Sequence, residues 1–209
     1  MGRRATVGLS VLMALAAGPD LARAAPAPTD PAAFHDDMRK LWEDHVTWTR
    51  LYIVNALADL PSKGLTAQRL LQNQTDIGKA VASFYGEAAG EKLAGLLKEH
   101  ILTAASLIEA AKLGDTAKKD EASKQWYVNA DAIASFLSAA NPESWPLAEM
   151  KSMMRDHLDL TTAQVVAGLT KNWAADIAAY DDVHGQILKM ADMLSDGIVR
   201  QFPGKFKKT

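Results

Sequence analysis

The sequence predicts an all-α fold, an antiparallel bundle of four long helices plus one or two shorter ones. Three observations carry this. Apolar residues recur at three- and four-residue steps through most of the chain, the period of a helix with one buried face. Helix formers dominate, and no run of β-branched residues alternates with polar ones as a strand requires. The breaks are short and fall at Pro, Gly and Asn, so successive helices are expected to pack as neighbours.

Taken in order, Asp30-Pro31 starts the first helix, with Asp as cap and Pro at the first helical position. Its stripe runs Phe34, Met38, Trp42, His45, Thr49, Ile53, Ala56 and Leu60, and it ends near Pro61. A shorter helix carries Leu70, Ile77, Val81 and Phe84 and stops at Gly86. A third extends from Ala88 to Leu113, with Leu93, Leu97, His100, Ala104, Leu107 and Ala111 in register, before Gly114-Asp115. A fourth holds Trp126, Ile133, Phe136 and Leu137 and stops at Asn141-Pro142. The fifth, capped by Asn141 or Ser144, carries Met150, Met154, His157, Thr161 and Val165. After a break between Gly168 and Asn172, the sixth carries Ile177, Tyr180, His184, Ile187, Ala191, Leu194 and Ile198, and Pro203-Gly204 closes it.

The chain has 209 residues, enough for one domain and a targeting segment. A formal net charge of −2 gives no global field for nucleic acid or an anionic membrane, so neither is an expected partner. The absence of cysteine excludes disulfides, thiolate metal sites and Cys nucleophiles. Arg3 and Arg4, the apolar run from Ala5 to Ala17 and the Ala22-Arg23-Ala24 step have the form of a signal peptide over residues 1–24. A Pro/Ala linker over 25–30, a helical domain over 31–203 and a basic tail over 204–209 are expected to follow. The expected location is periplasmic or secreted, with no transmembrane segment in the mature chain and a protein partner left open.

Four of the five histidines, His45, His100, His157 and His184, lie on apolar stripes near mid-helix; His35, in the first turn, is expected to be solvated. Two readings follow. In one, the four imidazoles meet in a core layer and bind zinc, copper or iron. Ligand nitrogens must then converge to within about 3–4 Å of each other, because each lies roughly 2 Å from the ion. In the other, the histidines join Asn73, Asn129, Thr49 and Thr161 in a ligand-free polar network that fixes helix register. The recognisable spacings, Glu-x-x-His and His-Glu-x-x-His, are missing. The acids Asp44, Glu99 and Asp156 each precede a histidine, about 100° round the helix, and suit neighbouring groups better than the same ion. A faint internal repeat links Asn73, Ile77 and Val81 with Asn129, Ile133 and Leu137, and joins the acid-His steps at 44–45, 99–100 and 156–157.

Smaller signals remain. Leu160-Thr161-Thr162-Ala163-Gln164 is similar to the LTxxQ motif of periplasmic helical chaperones of the Spy/CpxP type. Met150, Met153 and Met154 cluster near His157, as core filler or as a soft-metal box. Trp126, Trp145 and Trp173 read as packing anchors, and Arg50 as a partner for a carboxylate such as Asp131.

The segments LWxDHxxWTR (41–50), RLLxNQxDIG (69–78), WxxNADxIA (126–134) and GIxxQFP (197–203) together resemble a family of small bacterial helical proteins. The resemblance implies a single helical domain and no mechanism. Members carry enzyme names of the glycosyltransferase or acetylglutamate-kinase kind. This sequence has no Gly-rich phosphate loop after a strand, no α/β alternation and no paired-carboxylate nucleotide site. The expected function is therefore binding of a transition metal or small cofactor through the inward histidines. The alternative is a ligand-free periplasmic adaptor or chaperone.

Overall fold

A computed structural model describes residues 29–207 of the chain. The expected signal peptide and most of the linker lie outside the described residues. Six helices follow one another: α1 (Pro31–Leu57), α2 (Lys63–Tyr85), α3 (Glu87–Leu113), α4 (Thr116–Ala140), α5 (Leu147–Leu169) and α6 (Trp173–Gln201). A single 3-10 turn, Pro203–Lys205, ends the fold. No strand forms among the described residues; one isolated bridge joins Thr29 to Phe206. The lengths are more even than the stripes suggest, since the shortest helices, α2 and α5, still run 23 residues.

Local chemistry sets the ends. Asp30 accepts the Ala32 amide at 2.9 Å with Pro31 behind it, Asp115 accepts the Lys118 amide at 3.1 Å, and Asn172 accepts the Ala175 amide at 3.2 Å. A single residue, Gly86, links α2 to α3, and its φ of 88° is open to glycine at little cost. The turn after α4 is fastened to α6: Asn141 donates to the Gly197 carbonyl at 2.9 Å, and buried Trp145 lies directly over Gly197. A Cβ at Gly197 would stand 2.2 Å from the indole nitrogen, so the close approach demands glycine.

Each helix packs on the next, and α6 returns to α1, closing a ring of six. Successive helices are antiparallel, so α1, α3 and α5 point the same way, and α1 also meets α3 and α5 across the axis. The larger apolar cluster fills the end where the termini meet, from Phe34 and Trp42 through Trp145, Leu194 and Phe206. A smaller one, built on Tyr52, Ile53, Leu70, Ile101, Ile108 and Val165, lies towards the opposite end. No described helix is long and apolar enough to cross a membrane.

Several expectations change here. Residues 204–206 are not a free tail: Phe206 is buried against Phe34 and Phe84, because an aromatic ring outweighs the basic residues around it. Arg50 pairs with Asp176 at 2.6 Å and lies over Tyr180, whereas Asp131 takes Arg155 and Lys151. Trp173 and Ile177 are exposed, since the first turns of α6 run beyond the core. His35 bridges Asp192 and Asp196 between α1 and α6.

Candidate functional site

At mid-height the bundle places three imidazoles on its axis, one each from α1, α3 and α5. His45, His100 and His157 are all buried. The His45 and His157 rings are 5.7 Å apart, and His100 and His157 6.2 Å apart, centre to centre.

One device aims all three rings. Nδ1 of His100 is 2.9 Å from Asn129 Oδ1, while the Asn129 amide nitrogen donates to the Leu96 carbonyl at 3.0 Å. Nδ1 of His157 is 3.2 Å from Gln186 Oε1, and Gln186 donates to the Met153 carbonyl at 3.0 Å. Nδ1 of His45 is 3.2 Å from Gln74 Oε1; Gln74 donates to Asn73 Oδ1 and to the Leu70 carbonyl, and Asn73 donates to the Leu41 carbonyl. In every case the amide lies 29 residues after the histidine. The anchoring carbonyl of Leu41, Leu96 or Met153 lies one helical turn before it. Because each amide nitrogen is committed elsewhere, its oxygen must accept, so Nδ1 carries the proton and Nε2 presents a lone pair.

The three lone pairs meet different fates. His100 Nε2 accepts the indole N–H of Trp126 at 3.1 Å. Among the described residues no donor reaches Nε2 of His45 or His157, and both rings line a cavity. Burial holds all three neutral: His45 titrates well below the usual imidazole range, with His157 and His100 adding repulsion. Desolvation likewise brings His100 down to about 3 and His157 to about 4.

The cavity has a volume of about 250 Å³ and lies above the layer, on the side one turn after each histidine. Its walls are apolar, from Leu70, Ile101, Leu107, Ile108, Val165 and Leu169. Its polar floor is the three imidazoles with Thr49 and Thr161, whose hydroxyls donate to the His45 and His157 carbonyls at 2.7 and 2.8 Å. Lys119, Asp120 and Ser123 of α4 and Thr162 and Val166 of α5 line it where those helices approach their free ends. About 150 Å³ of apolar space is enough for benzene, so this cavity suits a ring with a substituent. Under the layer, Trp42, Met154 and the same three imidazoles enclose only about 10 Å³, and Trp42 Nε1 there has no protein partner.

The sequence-derived set divides accordingly. His45, His100 and His157 come together, but His184 does not. It is half-exposed, with Nε2 2.9 Å from Glu43, because α6 turns Val183, Ile187 and Met190 inward instead. No group of three or more His, Asp or Glu among the described residues is arranged to hold a metal ion. Asn129 bonds a ring directly, Asn73 acts through Gln74, and the two threonines bond backbone rather than imidazole. Gln74, Gln186 and the indole N–H that Trp126 donates to His100 do not stand out in the sequence. The shared 29-residue interval was the available signal, visible at Asn129 and unread at the two glutamines. Thr161 and Gln164 of the LTxxQ segment are buried, and Met150 and Met154 belong to the main core.

These features define an all-α closed bundle with an apolar cavity ending on neutral imidazoles. Comparison of the chain with protein-family models, with curated proteins and with solved structures finds no match.

Proposed function

We propose that this protein binds a small, largely apolar molecule in the cavity above the histidine layer, with His45 and His157 holding its polar end. One observation carries the reading: two imidazole acceptors are locked in one tautomer and open, with no donor among the described residues, onto the end of an apolar cavity. A ligand donor would meet an acceptor that no protein group meets, each such hydrogen bond adding on the order of 0.5–1.5 kcal/mol. Thermal melts of the full chain against a panel of small aromatic and aliphatic compounds test it, with Ala104→Phe run beside the wild type. Ala104 lines the cavity, so compounds should raise the wild-type melting temperature and leave the filled variant unmoved. A panel that shifts neither protein, or both equally, contradicts the reading.

A transition metal is the second reading, favoured by one observation. An imidazole whose Nδ1–H is fixed by an amide oxygen is oriented as metal-bound histidines are. It requires Trp126 to release His100. Zinc, copper or iron raising the melting temperature, with reversal by chelator, would favour it.

The N-terminal pattern supports export of the binding protein, with a mature chain starting near Ala25. N-terminal sequencing that finds Met1 retained on exported protein contradicts this. The thrice-used histidine–amide relay supports descent from one duplicated helical hairpin.

A further inference from the structure

We infer that the ligand's head group is an uncharged amino group with two N–H hydrogens, as in an arylamine or primary amide, and that carboxylates are excluded. The inference rests on the cavity being a ligand site, and adds which chemistry the site takes.

The deep end of the cavity offers acceptors and no free donor. His45 and His157 present bare Nε2 lone pairs, since their Nδ1 hydrogens go to Gln74 and Gln186. Thr49 and Thr161 spend their hydroxyl hydrogens on backbone carbonyls and keep only lone pairs for the cavity. Trp126 spends its N–H on His100. A carboxylate brought here meets lone pairs on every side. A hydroxyl brings one hydrogen and satisfies one imidazole. An amino group brings two, and the two open rings are neighbours, 5.7 Å apart between centres. The protein itself shows the preferred contact, because the third imidazole is met by the N–H of a flat aromatic ring at 3.1 Å.

The head group is uncharged for a separate reason. The carboxylate lining the cavity, Asp120, sits on the α4 side and is paired with Lys119 at 3.1 Å. An ammonium at the layer would lose its hydration with no counter-charge in reach. Tyr52 also lines the cavity, but it lies two helical turns beyond His45, within the field of Glu109 and Lys63.

Calorimetric titration of the full chain at neutral pH with aniline, phenol, toluene and benzoate tests this, the four being of similar size. Aniline is expected to bind about tenfold more tightly than toluene, as two modest hydrogen bonds give, with phenol between them and benzoate silent. Toluene matching aniline, or benzoate binding better than either, overturns the head-group assignment and leaves the cavity reading standing. Four silent titrations overturn both. His157→Leu leaves His45 open, so it should weaken aniline about threefold, to phenol's level, and leave toluene unchanged. Should that variant fail to fold, His45→Leu removes the other open acceptor; it should likewise weaken aniline about threefold and leave toluene unchanged. Equal loss for both compounds contradicts the inference.

Discussion

Below the histidine layer, Trp42, Trp145, Met38 and Leu194 surround voids of only about 20 and 10 Å³; above it, shorter aliphatic residues surround about 250 Å³. The same six helices build both halves, so topology is not the cause. The lower half carries aromatic residues from five segments, including the Phe34–Phe84–Phe202–Phe206 group that ties both termini to the bundle. The upper half has Ala104, Ala105 and Ala111 of α3 facing the axis, and small side chains there leave space. Tight packing is therefore concentrated below the layer and open space above it, with the imidazoles on the boundary.

The largest expected effect belongs to that boundary. In the unfolded chain each imidazole titrates near 6.5; folded, His157 lies at about 4, His100 at about 3, and His45 well below its ordinary range. The unfolded state thus binds more protons between these limits, so stability falls as pH drops below 6.5 and continues falling to each folded value. With His45 adding in the same direction, His100 and His157 kept neutral correspond to up to about 1.4 kcal/mol per pH unit each, or on the order of 5 kcal/mol together between pH 6.5 and 4.5. That rivals the whole stability of a typical domain. Urea melts across this range should show the loss well above the carboxylate pKa values. A flat profile would mean that the rings are hydrated or paired with acids.

Next come truncations on either side. Trp145→Ala in the packed half should cost about 3–5 kcal/mol, because little can collapse into the space. Leu107→Ala, at the cavity wall, should fall at the low end, about 2 kcal/mol, since it enlarges an existing space. Equal costs in denaturant melts would erase the contrast between the halves. Smaller still, His157→Leu should cost about 1 kcal/mol by stranding the Gln186 oxygen, and should remove part of the acid slope.

Much of the lower half was legible in the sequence, because aromatic residues at helical spacing have one good place to go. The helix ends were legible for the same local reason: Asp30-Pro31, Gly86 and Gly114-Asp115 act through their own backbones. The site was half legible. Three histidines on apolar stripes announce a layer, but His184 shares that pattern and sits outside. Its stripe runs between the core-facing line of Val183 and Ile187 and the surface, where Glu43 waits on α1. Gln74 and Gln186 look like ordinary polar helix residues, and only the chain that brings them 29 residues on, onto the neighbouring helix, makes them partners of a ring. The cavity itself was not legible, since it depends on which small side chains of α3 come to face α4 and α5 across the axis.

Long-range proton–nitrogen NMR of the histidine side chains at neutral pH, recorded without and with aniline, tests the account most directly. It predicts three neutral imidazoles protonated at Nδ1, with aniline shifting the Nε2 signals of His45 and His157 and leaving that of His100, already held by Trp126, in place. Rings protonated at Nε2, charged rings, or Nε2 signals of His45 and His157 that ignore aniline would contradict it.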